Sequence, residues 1–149
     1  MGDQDDLLAQ VTVVGHWHDS FGDEPIALQE CLAKEGFEAM MALDPPAGRP
    51  TRTTAASLHD AVLAWLEDSS HLIVLRGQPE PCAGSLLIMG VAVALGKPTL
   101  FVDPFAGTPR GAHPLLTNLH GRVLVATGSI RILPSVDAAL GLLSLYMRP

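Results

Sequence analysis

The chain has 149 residues, of which 48% are apolar and 17% charged, and its formal net charge is −7. This length suits one domain with a single core, and these proportions exclude a disordered protein. The nine Lys and Arg residues form no cluster, which argues against a nucleic-acid polymer as partner because such binding neutralises phosphates. We therefore expect one globular domain over residues 1–149.

Cysteine usage and the apolar stretches predict the compartment. The two cysteines, Cys31 and Cys82, form neither a CxxC pair nor a disulfide framework, as expected in a reducing environment. The acidic N-terminus lacks the features of a signal peptide. The longest apolar stretch, Leu86–Leu95, has about half the length that a membrane span needs. We expect a cytoplasmic protein that does not enter a membrane.

The first half of the chain alternates apolar runs with amphipathic segments. The β-branched run Val11–Gly15 predicts a first strand. A helix is expected between an N-cap at Asp23 and a stop at Gly36. Phe37–Leu43 predicts a second strand, and a second helix is expected at about Ser57–Glu67 after a loop rich in Pro and Gly.

The second half continues the alternation. Its expected elements, in order, are the strand His71–Leu75, the helix Ser85–Leu95, the strand Pro98–Val102, a helical turn near Leu115–Leu119, a fifth strand at Arg122–Ala126 and a closing helix at Ser135–Met147. Alternation of this kind predicts an α/β protein: a three-layer, flavodoxin-like (Rossmann-like) sheet of five parallel strands in the order 2-1-3-4-5, with helices on both faces.

That strand order predicts the place of a ligand site. Open α/β sheets bind ligands at the carboxyl ends of the strands, where the strand order reverses. Here the reversal lies between strands 1 and 3, so the loops Gly15–Gly22 and Arg76–Ser85 are expected to face each other. Asp103, just after strand 4, borders the same edge.

Several common site motifs are absent from the sequence. No GxGxxG follows the first strand, and neither GxxxxGK[ST] nor GxSxG occurs. These absences exclude the usual dinucleotide-binding, P-loop and α/β-hydrolase sites. We expect no cofactor.

The two loops nevertheless carry polar and aromatic residues suited to a small ligand. The expected ligand-binding residues are His16, Trp17, His18, Gln78, Cys82, Gly84, Ser85 and Asp103. Imidazoles titrate near neutral pH, and a helix that opens with Gly84 and Ser85 offers backbone N–H groups to an anion. An ordinary N-cap at Ser85 accounts for the same two residues equally well.

Two carboxylates are candidates for catalysis. Glu80 is the only acidic residue of the strand-3 loop, and Asp19 lies in the strand-1 loop. Either carboxylate is able to act as a nucleophile or a general acid/base, but a solvated loop charge is the simpler interpretation of Glu80. A metal site built on His16 and His18 needs a third ligand, for which the sequence shows no diagnostic spacing. We predict no metal, and a metal-dependent hydrolase stays an alternative.

The helix Ser85–Leu95 is apolar around its whole circumference. A helix that covers a sheet normally keeps a polar outer face, so this one is expected to be buried on two sides. In so short a chain, the second side is expected to meet another subunit. The sequence thus predicts a homo-oligomer through this helix, with burial under the 103–114 loop as the alternative.

The same segment resembles a known enzyme family. It reads Cys-Ala-Gly-Ser-Leu-Leu-Ile-Met-Gly-Val-Ala-Val-Ala-Leu-Gly-Lys-Pro over residues 82–98. This resembles the D-x-G-T-x-x-E-x-G-x-A-x-A-x-G-K-P helix of the nucleoside 2-deoxyribosyltransferase-like superfamily, which includes nucleotide N-glycosidases. The matching residues are Gly84, Ser85, Gly90, Ala92, Ala94, Gly96, Lys97 and Pro98. The resemblance implies a nucleoside or nucleotide ligand.

The departures from the family pattern fall where its chemistry occurs. The resemblance puts Ile88 at the position of the nucleophilic Glu and Cys82 at that of the preceding Asp. An isoleucine side chain is unable to form a glycosyl ester. We therefore predict a binding protein for a nucleoside, nucleotide or sugar phosphate without the glycosyl-transfer activity. The alternative is an active N-glycosidase or 2-deoxyribosyltransferase with a relocated carboxylate, Glu80 or Asp19.

Overall fold

The computed structural model describes residues 9–43, 52–78, 83–105 and 118–147. Its five strands form one parallel sheet in the order β2-β1-β3-β4-β5. They are β1 (Ala9–Gly15), β2 (Phe37–Leu43), β3 (Ser69–Leu75), β4 (Thr99–Val102) and β5 (Ile130–Leu133). The predicted α/β fold and its strand order are confirmed.

Helices cover both faces of this sheet. Within the described ranges they are α1 (Pro25–Lys34), α2 (Arg52–Asp68), α3 (Ala83–Ala94), α4 (Leu119–Ala126) and α5 (Val136–Met147), and a 3-10 turn occupies Asp19–Phe21. Helices α1 and α5 pack in one apolar cluster, and α2, α3 and α4 pack in a second cluster on the opposite face. None of the helices in these ranges is long and apolar enough to cross a membrane.

The central strands owe their composition to burial on both faces. Every residue from Val11 to Gly15 and from His71 to Leu75 is buried. Leu32 of α1 and Leu143 of α5 close one side of the sheet, and Leu66 of α2 closes the other. A strand covered on both faces has no solvent side, which explains the uninterrupted apolar runs of β1 and β3.

The fifth strand does not lie where the sequence predicted it. Residues 122–126, expected as a strand, belong to helix α4, and the strand is Ile130–Leu133. The Asn118 side chain caps this helix by accepting a hydrogen bond from the Gly121 N–H at 2.8 Å. The apolar pattern of the short run Val-Leu-Val-Ala fits a strand and a helix equally well. The Asn118 cap and the pairing of β5 with β4 therefore determine that this run is helical. The helical turn expected near Leu115–Leu119 lies mostly outside the described residues.

Three predicted helix starts are also wrong. Helix α2 begins at Arg52 and not at about Ser57. The N-cap of α1 is Glu24, not Asp23, and Pro25 occupies the first turn. Proline suits this position because the first helical N–H groups have no partner within the helix. Helix α3 begins at Ala83, which places Ser85 inside the helix and not at its N-cap.

The amino end of β3 holds a buried histidine. His71 is 8% exposed, and its ring meets that of Tyr146 edge-on at 4.7 Å between centroids. Its Nδ1 lies 2.8 Å from the Ser70 hydroxyl. Burial lowers the pKa of His71 because the apolar surroundings disfavour the charged imidazolium. The neutral ring therefore serves as a packing group of the core at neutral pH.

The carboxyl ends of β1 and β3 approach each other very closely. Gly15 has a φ of +119°, a conformation that favours glycine, and a Cβ there would overlap the Leu75 carbonyl. A Cβ at Gly77 would overlap the carbonyl of His16 in the same way. Two glycines thus let the chain leaving β1 lie directly against the chain leaving β3.

We predict that Gly77→Ala destabilises the protein by about 1–3 kcal/mol because two backbone segments must separate to admit a methyl group. The matched control is Gly141→Ala in α5, where an added Cβ meets nothing within 4 Å. There, alanine is expected to stabilise the helix by about 0.5–1 kcal/mol. Urea unfolding followed by circular dichroism measures both changes. Equal effects of the two substitutions would contradict the close approach.

Candidate functional site

The residues that follow β1, β3 and β4 lie side by side. The N–H of His16 donates to the Leu75 carbonyl at 3.1 Å, that of Arg76 to Val102 at 3.0 Å, and that of Asp103 to Leu133 at 2.8 Å. The hydrogen-bond ladder of the sheet therefore continues one residue past each strand. His16, Arg76 and Asp103 form a row at the carboxyl edge, across the predicted reversal of strand order.

Arg76 and Asp103 form a buried ion pair in this row. Arg76 Nη1 lies 2.9 Å from Asp103 Oδ2, and the side chains are only 4% and 0% exposed. The residues before them, Leu75 and Val102, both pack in the α1/α5 cluster, so strand alternation turns Arg76 and Asp103 toward the opposite face together. Neither charge is stable alone in such a place, and the pairing offsets much of their desolvation.

Asp103 also shapes the chain that follows β4. Its second oxygen, Oδ1, accepts a hydrogen bond from the Phe105 N–H at 2.9 Å. This turn places the Phe105 ring over the Arg76 guanidinium, with Cζ 5.3 Å from the ring centroid. A cation over an aromatic face is attracted by the negative charge of the ring surface. One carboxylate thus fixes both the cation and the ring above it.

Aromatic contacts join this group to the loop after β1. The His18 ring meets Phe105 edge-on at 5.6 Å and Phe21 at 5.8 Å between centroids. Phe21 in turn meets Trp17 at 5.6 Å. Edge-to-face arrangements at these distances are favourable because the positive ring edge meets the negative face. The loops after β1 and β4 are therefore held together by a chain of ring contacts that ends on Arg76.

Hydrogen bonds fix the histidine in this chain. His18 Nδ1 accepts from the Ser20 backbone N–H at 3.0 Å and lies 2.7 Å from the Ser20 hydroxyl. Trp17 donates its indole N–H to the Gly22 carbonyl at 3.2 Å. A backbone N–H only donates, so Nδ1 carries the lone pair and the proton of the neutral ring lies on Nε2.

The structure distributes the predicted site residues unevenly. His16, Trp17 and His18 are half-buried at the carboxyl edge, Asp19, Gln78 and Gly84 are exposed, and Ser85 and Asp103 are buried. Asp103 occupies the predicted edge, but both of its oxygens are engaged within the protein. Glu80 and Cys82 lie outside the described residues.

Ile88 lies among apolar side chains in helix α3. It is half-buried and packs against the cluster that contains Met89, Ala92 and Val74. The position that resembles the family's nucleophile is thus part of the apolar layer between α3 and the sheet. Among the described residues, no three His, Cys, Asp or Glu side chains lie close enough together to hold a metal ion.

The sequence interpretation missed Arg76 as a site residue. The available signal was its position directly after the apolar run His71–Leu75. Arginine is almost never fully buried unless it is paired, so an arginine ending a buried strand calls for a partner. The partner, Asp103, is 27 residues away along the chain. Only the strand order brings the two together.

Comparison with known proteins shows that a similar fold occurs in a solved structure. No family model matches the chain, and no curated protein matches it. A solved structure titled "conserved protein from Enterococcus faecalis V583" is similar, with a TM-score of 0.55 and 12% identity, over 93% of this chain and 100% of that one. At this identity the likeness concerns the fold alone, which is that of a Rossmann-like α/β protein.

We predict strong coupling between Arg76 and Asp103. Arg76→Met leaves the buried Asp103 carboxylate without its cation. Asp103→Asn leaves the buried Arg76 guanidinium without its anion but keeps an oxygen that accepts from the Phe105 N–H. Each single substitution is expected to cost about 3–5 kcal/mol of stability. The double variant, which buries no charge, should lose less than the sum of the two. A double-mutant cycle by urea unfolding measures the coupling, and additive losses would contradict it.

Proposed function

We propose that this protein binds a small nucleoside-like molecule at the carboxyl edge of its sheet and does not cleave it. The observation that supports binding is the continuous set of contacts from Trp17 through His18 and Phe105 to Arg76. These contacts organise aromatic rings and a hydrogen-bonding imidazole at the reversal of strand order, where α/β sheets hold ligands. Nucleosides present the flat rings and polar edges that such groups recognise.

The absence of glycosyl transfer is proposed on the environment of Ile88. Its apolar contacts in α3 offer no carboxylate at the position that resembles the family's nucleophile. Asp103 is fully buried and paired with Arg76, so its carboxylate does not meet an incoming anomeric carbon. Asp19 is exposed at the same edge, and it or Glu80, which lies outside the described residues, is the carboxylate that an active N-glycosidase would use instead.

We place the protein in the cytoplasm, in keeping with the free and exposed Cys31.

The test is titration calorimetry with a panel of ribo- and deoxyribonucleosides and their phosphates, with free base followed by chromatography. We expect binding without base release. Phe105→Ala removes the ring between His18 and Arg76 and should weaken binding by about fivefold to tenfold. Tyr146→Ala is the matched control: it truncates an exposed aromatic residue that contacts His71 at the amino end of β3 and should bind as the wild type does.

Two results would overturn the proposal. A panel without any binding would remove the ligand site. Base release that disappears in Asp19→Asn or Glu80→Gln would instead establish an active N-glycosidase with a relocated carboxylate.

We also propose that a second copy of the chain covers helix α3. None of the 12 residues of this helix is charged, and Leu87 is 73% exposed in the single chain. On the same face of the sheet, α4 exposes Leu119 by 72% and Val123 by 51%. Exposed apolar surface of this kind is typical of a subunit interface.

We predict that the wild-type protein is a homo-oligomer in size-exclusion chromatography with light scattering. Leu87→Glu should shift it to the monomer, because the contact would bury an uncompensated charge. Ile26→Glu is the control, since Ile26 is 55% exposed on α1 across the sheet. A monomeric wild type, or dissociation by the control alone, would contradict the α3 interface.

A further inference from the structure

We propose that His18 and Asp19 make the carboxyl edge selective for an uncharged ligand that accepts a hydrogen bond, a nucleoside rather than its phosphate. This inference rests on the proposed binding function and names the chemical class of its ligand. It follows from the hydrogen bonds of His18, from the contacts of its ring and from the charges that the edge presents.

The turn that His18 caps fixes the orientation of its ring. The Ser20 backbone N–H donates to Nδ1 at 3.0 Å, so that the His18 side chain caps the amino end of the 3-10 turn Asp19–Phe21. Nδ1 is thus used as an acceptor within the protein, and Nε2 is the ring nitrogen left to donate a hydrogen bond to a ligand.

Contacts with two neighbouring aromatic rings also fix the position of the His18 ring. Phe21 meets it at 5.8 Å with an interplanar angle of 61°, and Phe105 meets it at 5.6 Å with an angle of 82°. The side chain stays half-buried, so part of the imidazole is accessible. A donor fixed in this way requires an acceptor on the ligand, because a ligand without one would leave a desolvated N–H unsatisfied.

The exposed charge that the described residues give this edge is negative. Among the described residues that follow β1, β3 and β4, Arg76 is the one cation, and it is 4% exposed and ion-paired with Asp103 at 2.9 Å. Asp19, next to His18, is exposed. A phosphate beside His18 would approach the Asp19 carboxylate, while the charge of Arg76 is already compensated. Like charges in proximity disfavour binding, most strongly at low salt.

The experiment compares one nucleoside with its 5′-monophosphate by titration calorimetry at low salt. The nucleoside is the tightest-binding neutral member of the panel described above. We expect it to bind more tightly than its monophosphate. The two ligands share base and sugar, so the difference in affinity reports the phosphate alone.

Two substitutions separate the roles of the residues. His18→Asn keeps an acceptor that caps the turn but removes the Nε2 donor, and should weaken nucleoside binding about threefold to tenfold. Asp19→Asn should strengthen monophosphate binding about twofold to fivefold and so narrow the difference in affinity between the two ligands. The controls are His59→Asn and Asp68→Asn, both exposed on α2, which should alter neither affinity. Far-ultraviolet circular dichroism checks that each variant is folded.

The outcomes distinguish this inference from the proposed function. A monophosphate that binds more tightly than the nucleoside, or an Asp19→Asn variant with unchanged monophosphate affinity, overturns the selectivity and leaves the binding function standing. Unchanged nucleoside affinity in His18→Asn overturns the role of the donor. If neither ligand nor any other member of the panel binds, both proposals are wrong.

Discussion

The close approach of the chain at the ends of β1 and β3 is the constraint on which the carboxyl edge depends. Gly15 and Gly77 bear no Cβ, so the backbone of one loop lies against the backbone of the other. The His16 N–H therefore reaches the Leu75 carbonyl, and His16 joins Arg76 and Asp103 in the row at the carboxyl edge. With larger residues at the two glycines the loops would diverge, and His16 would leave this row.

The buried ion pair depends on the alignment of Arg76 with Asp103, and the position of the aromatic groups depends on the ion pair. Asp103 neutralises Arg76 with one oxygen and turns the chain at Phe105 with the other. Phe105 then meets His18 across the edge. The proposed ligand site thus depends on charges that are themselves inaccessible. Arg76 and Asp103 position the rings that would touch a ligand, and His18 and Asp19 are among the accessible polar groups of the described residues at this edge.

Much of the fold was predictable because it follows from local patterns. Buried β-branched runs, glycine stops and amphipathic helices recur in an order that admits few topologies. The error at residues 122–126 shows the limit of such patterns. Val-Leu-Val-Ala suits a strand and a helix equally, and the choice was made by the Asn118 cap and by the pairing of Ile130–Leu133 with β4. The meeting of the loops after β1 and β3 at the carboxyl edge was predictable, whereas the ion pair of Arg76 with Asp103 was not.

The sequence by itself determined the class of fold, the strand order and the edge at which polar loops gather. These depend on the period of apolar residues and on turn residues, which act over a few positions. Only the tertiary structure decided that Arg76 pairs with Asp103 and that His18 is held between Phe21 and Phe105. It also decided that Ile88 joins the apolar layer beneath α3. The reason is physical: each of these contacts joins elements whose proximity is set by the packing of the whole sheet.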